Sequence, residues 1–269
     1  MSLKDLILAQ PSKAVENVMR EDVIYVNAAA DVETVAKDLA RYDLIAMPVV
    51  DQEGRLIGII THDDVIDVVI EEATQDAHMM GAVQPLAAEY LESPFWDTVR
   101  KRVVWLRLLF FSEMSTEKVL HVFNWLAEFA LLVGFMPVIM ATGGNSGSQA
   151  ASLITRSLAL GEVGPKDWFR VARRELLSGI VLGAAIGLLA ICYVLINHND
   201  HSMLALVLVL ALVAVTTSGS LVGSLLPLIF KKVGLDPAIS SGPFVSSLVD
   251  VVGIFMYFSI AALVLYRFH

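Results

Sequence analysis

Phe135-Met-Pro-Val-Ile-Met-Ala-Thr-Gly-Gly-Asn-Ser-Gly-Ser-Gln149 decides how this chain is read. An apolar run leads into Gly143-Gly144-Asn145-Ser146-Gly147-Ser148-Gln149, and a helix-compatible pattern then resumes as far as Val163. Glycine and small polar residues at the end of a membrane span are costly unless the backbone packs on protein or lines a cavity. Interrupted spans of this kind bind ions in transporters, through freed carbonyls and polar side chains. The sequence therefore predicts a discontinuous span in which Gly143, Gly144 and Gly147 allow an irregular backbone.

The rest of the chain fits a membrane setting. Of its 269 residues, 56% are hydrophobic, above the roughly 45–50% of a soluble domain. Beyond Glu175 the only acids are Asp200, Asp236 and Asp250. That asymmetry predicts an acidic soluble module followed by a membrane domain. Three spans are plain, at 176–197, 203–230 and 243–266. A fourth, at about 125–142, is apolar apart from Glu128. A first, at 103–122, is interrupted by Arg107 and by Ser112-Glu-Met-Ser-Thr-Glu-Lys118. Five spans would place the basic clusters Arg100–Arg102, Arg156–Arg174 and Lys231-Lys232 on one side, as the positive-inside rule requires; four would not. Gly179, Gly183 and Gly187, and Gly219 with Gly223, recur at the spacing that lets helices approach closely.

The soluble half reads as a small β/α module. Asp22–Asn27, Ile45–Val50 and Leu56–Ile60 have strand character, with Asp51-Gln-Glu-Gly54 as a turn. Asp31–Tyr42 and Thr61–Glu72 read as helices, with Asp31 and Thr61 as caps. Asp64, Asp67 and Glu71 fall on one helix face, where like charges weaken the helix by about a few tenths of a kcal/mol per pair. Such a row is either a solvated face or a place where a divalent cation relieves the repulsion.

The membrane signature resembles that of the MgtE family of Mg²⁺ channels and transporters. The resemblance runs on through Leu235-Asp236-Pro237, Ser241-Gly242-Pro243 and Ser247–Gly253. Met47–Val69 is similar to a CBS domain, whose Gly58–Asp64 segment matches a nucleotide-ribose pattern. The resemblance implies a membrane all-α helical bundle of five spans with a dimeric pore, preceded by a small cytosolic α/β CBS module. Its parts would be a single CBS domain with linker at 1–76, a connecting plug helix at 77–102 and the transmembrane domain at 103–269. The expected chain is a family member lacking its N-terminal domain and first CBS copy. It would sit multi-pass in the plasma or inner membrane as a homodimer, N-terminus cytoplasmic and C-terminus outside.

Asp250 is the only charge between Asp236 and Arg267, and an acid inside a span is a functional candidate by default. The resemblance makes Asp250 the pore aspartate, with Asn145 and neighbouring carbonyls such as that of Gly144 on the same path and Ser247 a weaker candidate. Glu128 and Gln149 are further, weaker candidates. Asp43, Asp64, Asp67, Glu72 and Asp76 fall where the family binds regulatory Mg²⁺. Thr61 and Asp64 fall where a CBS module binds ATP, although both also suit a plain helix cap.

The function so implied is Mg²⁺ import gated by cytosolic Mg²⁺. The alternatives are a proton-coupled divalent cation exporter or antiporter, and a membrane-anchored nucleotide sensor. No HExxH, no GxSxG with partners and no P-loop points to an enzyme. The net charge of −9 argues against nucleic-acid partners and suits cations. The single Cys192 allows no intrachain disulfide.

Overall fold

The computed structural model of the chain describes residues 7–19, 22–86, 90–123, 130–197 and 202–267. It divides into two compact units, residues 1–74 and 75–269. Glu89, Glu128 and residues 198–201 lie outside the described residues.

In the first unit, β1 (Val26–Asn27) runs parallel to β2 (Ala46–Val50), and β2 runs antiparallel to β3 (Leu56–Thr61). Helix α1 (Val32–Arg41) starts at Asp31, whose carboxylate accepts the Thr34 N–H. That capping bond is typically worth about 1 kcal/mol. The expected strand at 22–27 shrinks to two residues, because β1 is an edge strand that finds β2 only at Val26 and Asn27. The turn works as its residues predict. Asp51 accepts the N–H groups of Glu53 and Arg55, and Gly54 takes φ +77°. A small core of Ala36, Leu39, Met47 and Val65 joins α1, β2 and α2 (His62–Met80).

Among the described residues, the second unit is a bundle of five long helices: α3 (Phe95–Val122), α4 (Ala130–Ala159), α5 (Trp168–Asn197), α6 (Ser202–Lys232) and α7 (Gly242–Arg267). The segments 165–196, 203–232 and 242–265, which make up most of α5, α6 and α7, are long and apolar enough to cross a membrane. Residue pairs fix the helix directions. Gly179, Gly183 and Gly187 of α5 face Thr217, Val213 and Val209 of α6, an antiparallel order. Gly143 and Gly147 of α4 face Gly219 and Gly223 of α6 in parallel, while Gly144 and Ser148 meet Ser246 and Gly242 of α7 antiparallel. Trp105, Ser112 and Phe123 of α3 meet Phe244, Ser247 and Phe255 of α7 in parallel. So α3, α5 and α7 run one way and α4 and α6 the other. The basic ends of α4 and α6 and the basic starts of α3 and α5 then share one end of the bundle.

Two expectations are corrected. The span at 125–142 does not break at Gly143. Helix α4 continues unbroken through Gly143–Gln149 to Ala159. The glycines are there for packing: a Cβ on Gly143 would stand 2.5 Å from Val215 Cγ1, and one on Gly147 would stand 3.1 Å from the Gly219 carbonyl oxygen. Small residues on both helices let the two backbones touch. The connecting helix and first span, expected as separate elements meeting at 102/103, are one continuous helix from Phe95. Residues 77–80 belong to α2 instead.

The glycine contact gives a direct test. Gly147→Val should destabilise the bundle by about 1–3 kcal/mol or more, as overpacking of a tight contact does. Gly134→Ala, whose added methyl meets nothing within 4 Å, should change stability by less than about 1 kcal/mol. Thermal unfolding in one detergent reads both, and equal behaviour of the two variants would contradict the packing role.

Candidate cation site in the helical bundle

Asp250 lies eight residues into α7, about 12 Å along it at 1.5 Å per residue. Its surroundings follow from helical phase. Ser246, one turn earlier, faces α4: its hydroxyl is 3.3 Å from Ser148 Oγ, and it packs on Gly144. Ser247 faces α3 and donates to Ser112 Oγ at 2.9 Å. Asp250 sits three and four residues on from these two, so it occupies the strip of α7 between the α4 and α3 contacts. Val249, on the other flank, packs against Gly143 and Gly147. Asp250 is half-buried at that crevice.

On α4, Asn145 follows Gly144, which packs on Ser246 one turn before Asp250. It is exposed, whereas Gly143, Gly144, Ser146 and Gly147 around it are buried. Those four residues bind α4 to its neighbours. Ser146 Oγ is 2.8 Å from Ser220 Oγ and donates to the Thr216 carbonyl at 3.1 Å. Ser148 Oγ donates to the Gly242 carbonyl at 3.1 Å. Such interhelical bonds contribute roughly 0.6–2 kcal/mol each in a membrane. They fix the rotation of α4 and leave Asn145, with Gln149 one turn on, on the open flank.

The sequence-predicted site residues therefore separate into two groups. Asp250 and Asn145 border open space. Gly144 is buried in the contact with Ser246. Ser247 is 2% exposed and holds α3 to α7. Sequence reading missed Ser112, Ser146, Ser148 and Ser246 as interhelical links. Their signal was present as small polar residues at helical spacing inside apolar segments.

In the soluble unit, Thr61 and Asp64 do come together. Asp64 accepts both the Thr61 N–H, at 3.0 Å, and the Thr61 hydroxyl. This is the carboxylate half of a capping box. The Thr61 hydroxyl, then its N–H, hold the Asp64 carboxyl below the usual carboxylate range. Asp67 is exposed one turn on, Glu72 is exposed and Asp76 half-buried on the same helix, and Asp43 occupies the turn after α1 with φ +50°. Among the described residues, no three His, Cys, Asp or Glu side chains converge as a metal site. Asp64, Asp67, Glu72 and Asp76 lie along α2. Ile57 and Ile59 of β3 and Ile66 and Ile70 of α2 are exposed as well, an apolar surface on a small module.

Comparison with known proteins bears on both units. A family model described as the divalent cation transporter MgtE matches residues 136–260, and a CBS domain model matches residues 15–71. A magnesium transporter MgtE of Thermus thermophilus is 40% identical over 266 residues, which cover 98% of this chain and 59% of that protein. One from Enterococcus faecalis is 34% identical over 265 residues, covering 98% and 57%. The crystallised cytosolic domain of the Mg²⁺ channel MgtE in complex with ATP aligns at 51% identity and a TM-score of 0.25, over 25% of this chain and 27% of its own. The chain thus spans less than three-fifths of the length of these two curated relatives.

The cap has a pH signature. Because the folded pKa of Asp64 is lowered, its stabilisation is full above the ordinary carboxylate pKa and is lost as pH falls through the lowered value. Thr61→Val should return the Asp64 titration towards the ordinary range, read by NMR of labelled aspartate carboxyls. An unchanged titration would mean that the bond to Thr61 does not set it.

Proposed function

Since the chain belongs to the MgtE family of divalent cation transporters, with a CBS domain ahead of its membrane domain, we propose that it conducts Mg²⁺ into the cell under control of cytosolic Mg²⁺. The observation that carries this reading is Asp250, a half-buried acid eight residues into the apolar helix α7, with Asn145 exposed on the neighbouring α4. An acid at that depth costs roughly 2.5–3.5 kcal/mol on insertion scales unless water or a partner meets it. A hydrated Mg²⁺ meets it well. Mg²⁺ dehydrates reluctantly and is held through one or two carboxylates and its own waters. A homodimer would bring two such crevices together and give two Asp250 carboxylates to one dication.

The open side of the crevice supports a shared pore. Asn145 is exposed on one chain, while its neighbours Gly143, Gly144, Ser146 and Gly147 are buried in helix contacts. The helix directions support a cytoplasmic N-terminus and an external C-terminus. They gather the Arg100–Arg102, Arg156–Arg174 and Lys231-Lys232 clusters at the end from which α7 starts.

The row of acids on α2 supports gating. Asp64, Asp67 and Glu72, with Asp43 and Asp76, would repel their counterparts in a second copy when Mg²⁺ is scarce. Bound Mg²⁺ would bridge them and draw the modules together. The exposed Ile57, Ile59, Ile66 and Ile70 would be covered by the same pairing. The continuity of helix α3 from Phe95 into the bundle gives such a movement a rigid lever at the membrane. The Thr61–Asp64 pair offers a hydroxyl and a carboxylate suited to a ribose, which supports ATP as a second cytosolic ligand.

Mg²⁺ uptake into proteoliposomes loaded with a Mg²⁺ dye tests both parts. Asp250→Ala should lower flux at least about a hundredfold while leaving the assembled protein intact, since it removes the only charge this helix offers the ion. Native flux should fall as internal Mg²⁺ rises to millimolar levels, and Asp67→Asn with Glu72→Gln should shift that inhibition to higher Mg²⁺. Flux that is equal at low and high internal Mg²⁺ would contradict gating. Flux that follows a pH gradient would replace the channel reading with proton-coupled exchange.

A further inference from the structure

Helix α3 carries two small polar residues, Ser112 and Thr116, one turn apart on the face that meets α7, and Phe123 follows at its C-terminal end. Ser112 bonds Ser247, and Phe123 stacks on Phe258. Thr116 lies between them. It is 8% exposed, and its hydroxyl has no hydrogen-bond partner. A buried hydroxyl left without a partner typically costs about 1–3 kcal/mol. Thr155, Thr216 and Ser240 also hold buried hydroxyls without a partner, and Thr116 is the one of the four on the helix that faces Asp250's strip of α7. A ligand or its water shell is one way such a group is completed.

Glu113 adjoins these residues, three before Thr116. It is exposed on the single chain and directly follows Ser112, whose partner Ser247 lies three residues before Asp250. No basic side chain among the described residues forms an ion pair with either acid. The Ser112–Ser247 bond puts Glu113 within about a turn of the level of Asp250. Two unneutralised carboxylates at one depth in a membrane bundle repel each other and are expensive separately. A divalent cation removes both costs.

We propose that Glu113 is a second carboxylate of the cation path, and that Glu113 and Thr116 of α3, together with Asp250 of α7, form a binding site for a hydrated divalent cation. The Thr116 hydroxyl accepts a hydrogen bond from the ion's water shell. Asp250 and Glu113 supply the charge from the two walls of the crevice between α3 and α7. The site deepens the reading of Asp250 as the pore acid and rests on it. It also accounts for the polar run Ser112–Lys118, which interrupts an element that hydropathy alone would otherwise favour as a span.

The test is Mg²⁺ flux against external Mg²⁺ concentration in proteoliposomes, for the native chain, Glu113→Gln, Thr116→Val and Asp250→Ala. Glu113→Gln should still conduct, with half-saturating Mg²⁺ raised about tenfold, the equivalent of ~1.4 kcal/mol of cation binding. Thr116→Val should raise it less, in the same direction. An unchanged half-saturation in Glu113→Gln, with Asp250→Ala inactive, overturns the second carboxylate and leaves the pore reading intact. Native flux in Asp250→Ala overturns the pore reading itself. Loss of dimer in Glu113→Gln with unaltered half-saturation would make Glu113 an assembly contact and also overturn the site. If Glu113→Gln does not fold, carbodiimide labelling of the unaltered chain decides. Mg²⁺ should slow modification of Glu113, and labelling indifferent to Mg²⁺ overturns the proposal.

Discussion

The bundle depends on one contact, the backbone-to-backbone meeting of α4 and α6 through Gly143, Gly147, Gly219 and Gly223. A side chain at any of these positions would collide with the facing helix. In a membrane no hydrophobic force drives helices together, so close approach and interhelical bonds must do so. Ser146 adds such bonds at the same level, to Ser220 and to the Thr216 carbonyl. Once α4 is fixed against α6, its rotation is fixed too. Gly144 and Ser148 must then face α7, and Asn145 must stand on the free flank. The polar crevice is what remains when the small residues have been used for packing.

This changes what the glycine-rich signature means. Its residues suggest a broken helix, because glycine and asparagine disfavour helix interiors by up to about 1 kcal/mol each. In the bundle that local preference is overridden by packing on both sides, and α4 runs straight through. Propensity is a weak guide where tertiary contacts are this close. The location of the feature was legible in the sequence, whereas its geometry was not. The repeats at Gly179, Gly183 and Gly187 were easier to read, because GxxxG spacing needs only one helix to show itself. The partner residues Thr217, Val213 and Val209 carry no comparable signal.

The site was legible to a similar degree. Asp250 stands out by charge alone, as the sole acid in a long apolar run. Asn145 could be named but not aimed, since its exposure depends on which of its neighbours pack. Ser247 looks like a pore hydroxyl in sequence and is a buried link to Ser112 in the fold. The run Ser112–Lys118 looks like an interruption, because helical phase against a partner cannot be read from one segment. In the soluble module, the strands and caps follow from residue type, with Asp31 and Thr61 marking both helix starts. The acidic row on α2 is visible in sequence, but a site completed by a second copy would leave no signature in one copy alone.

The account joins two physical demands. A dication must be attracted into a low-dielectric region without losing its water, and the protein must remain packed around the opening. Glycine contacts meet the second demand, and in the proposed path a few carboxylates and amides on the exposed flank would meet the first. The most direct test is to locate the ion. Crystals of the chain grown with Mn²⁺ in place of Mg²⁺ should show an anomalous peak at the crevice bounded by Asp250 and Asn145, at water-mediated distance from both side chains. Anomalous density confined to the acidic helix of the soluble module, with none in the bundle, would contradict the placement of the cation path.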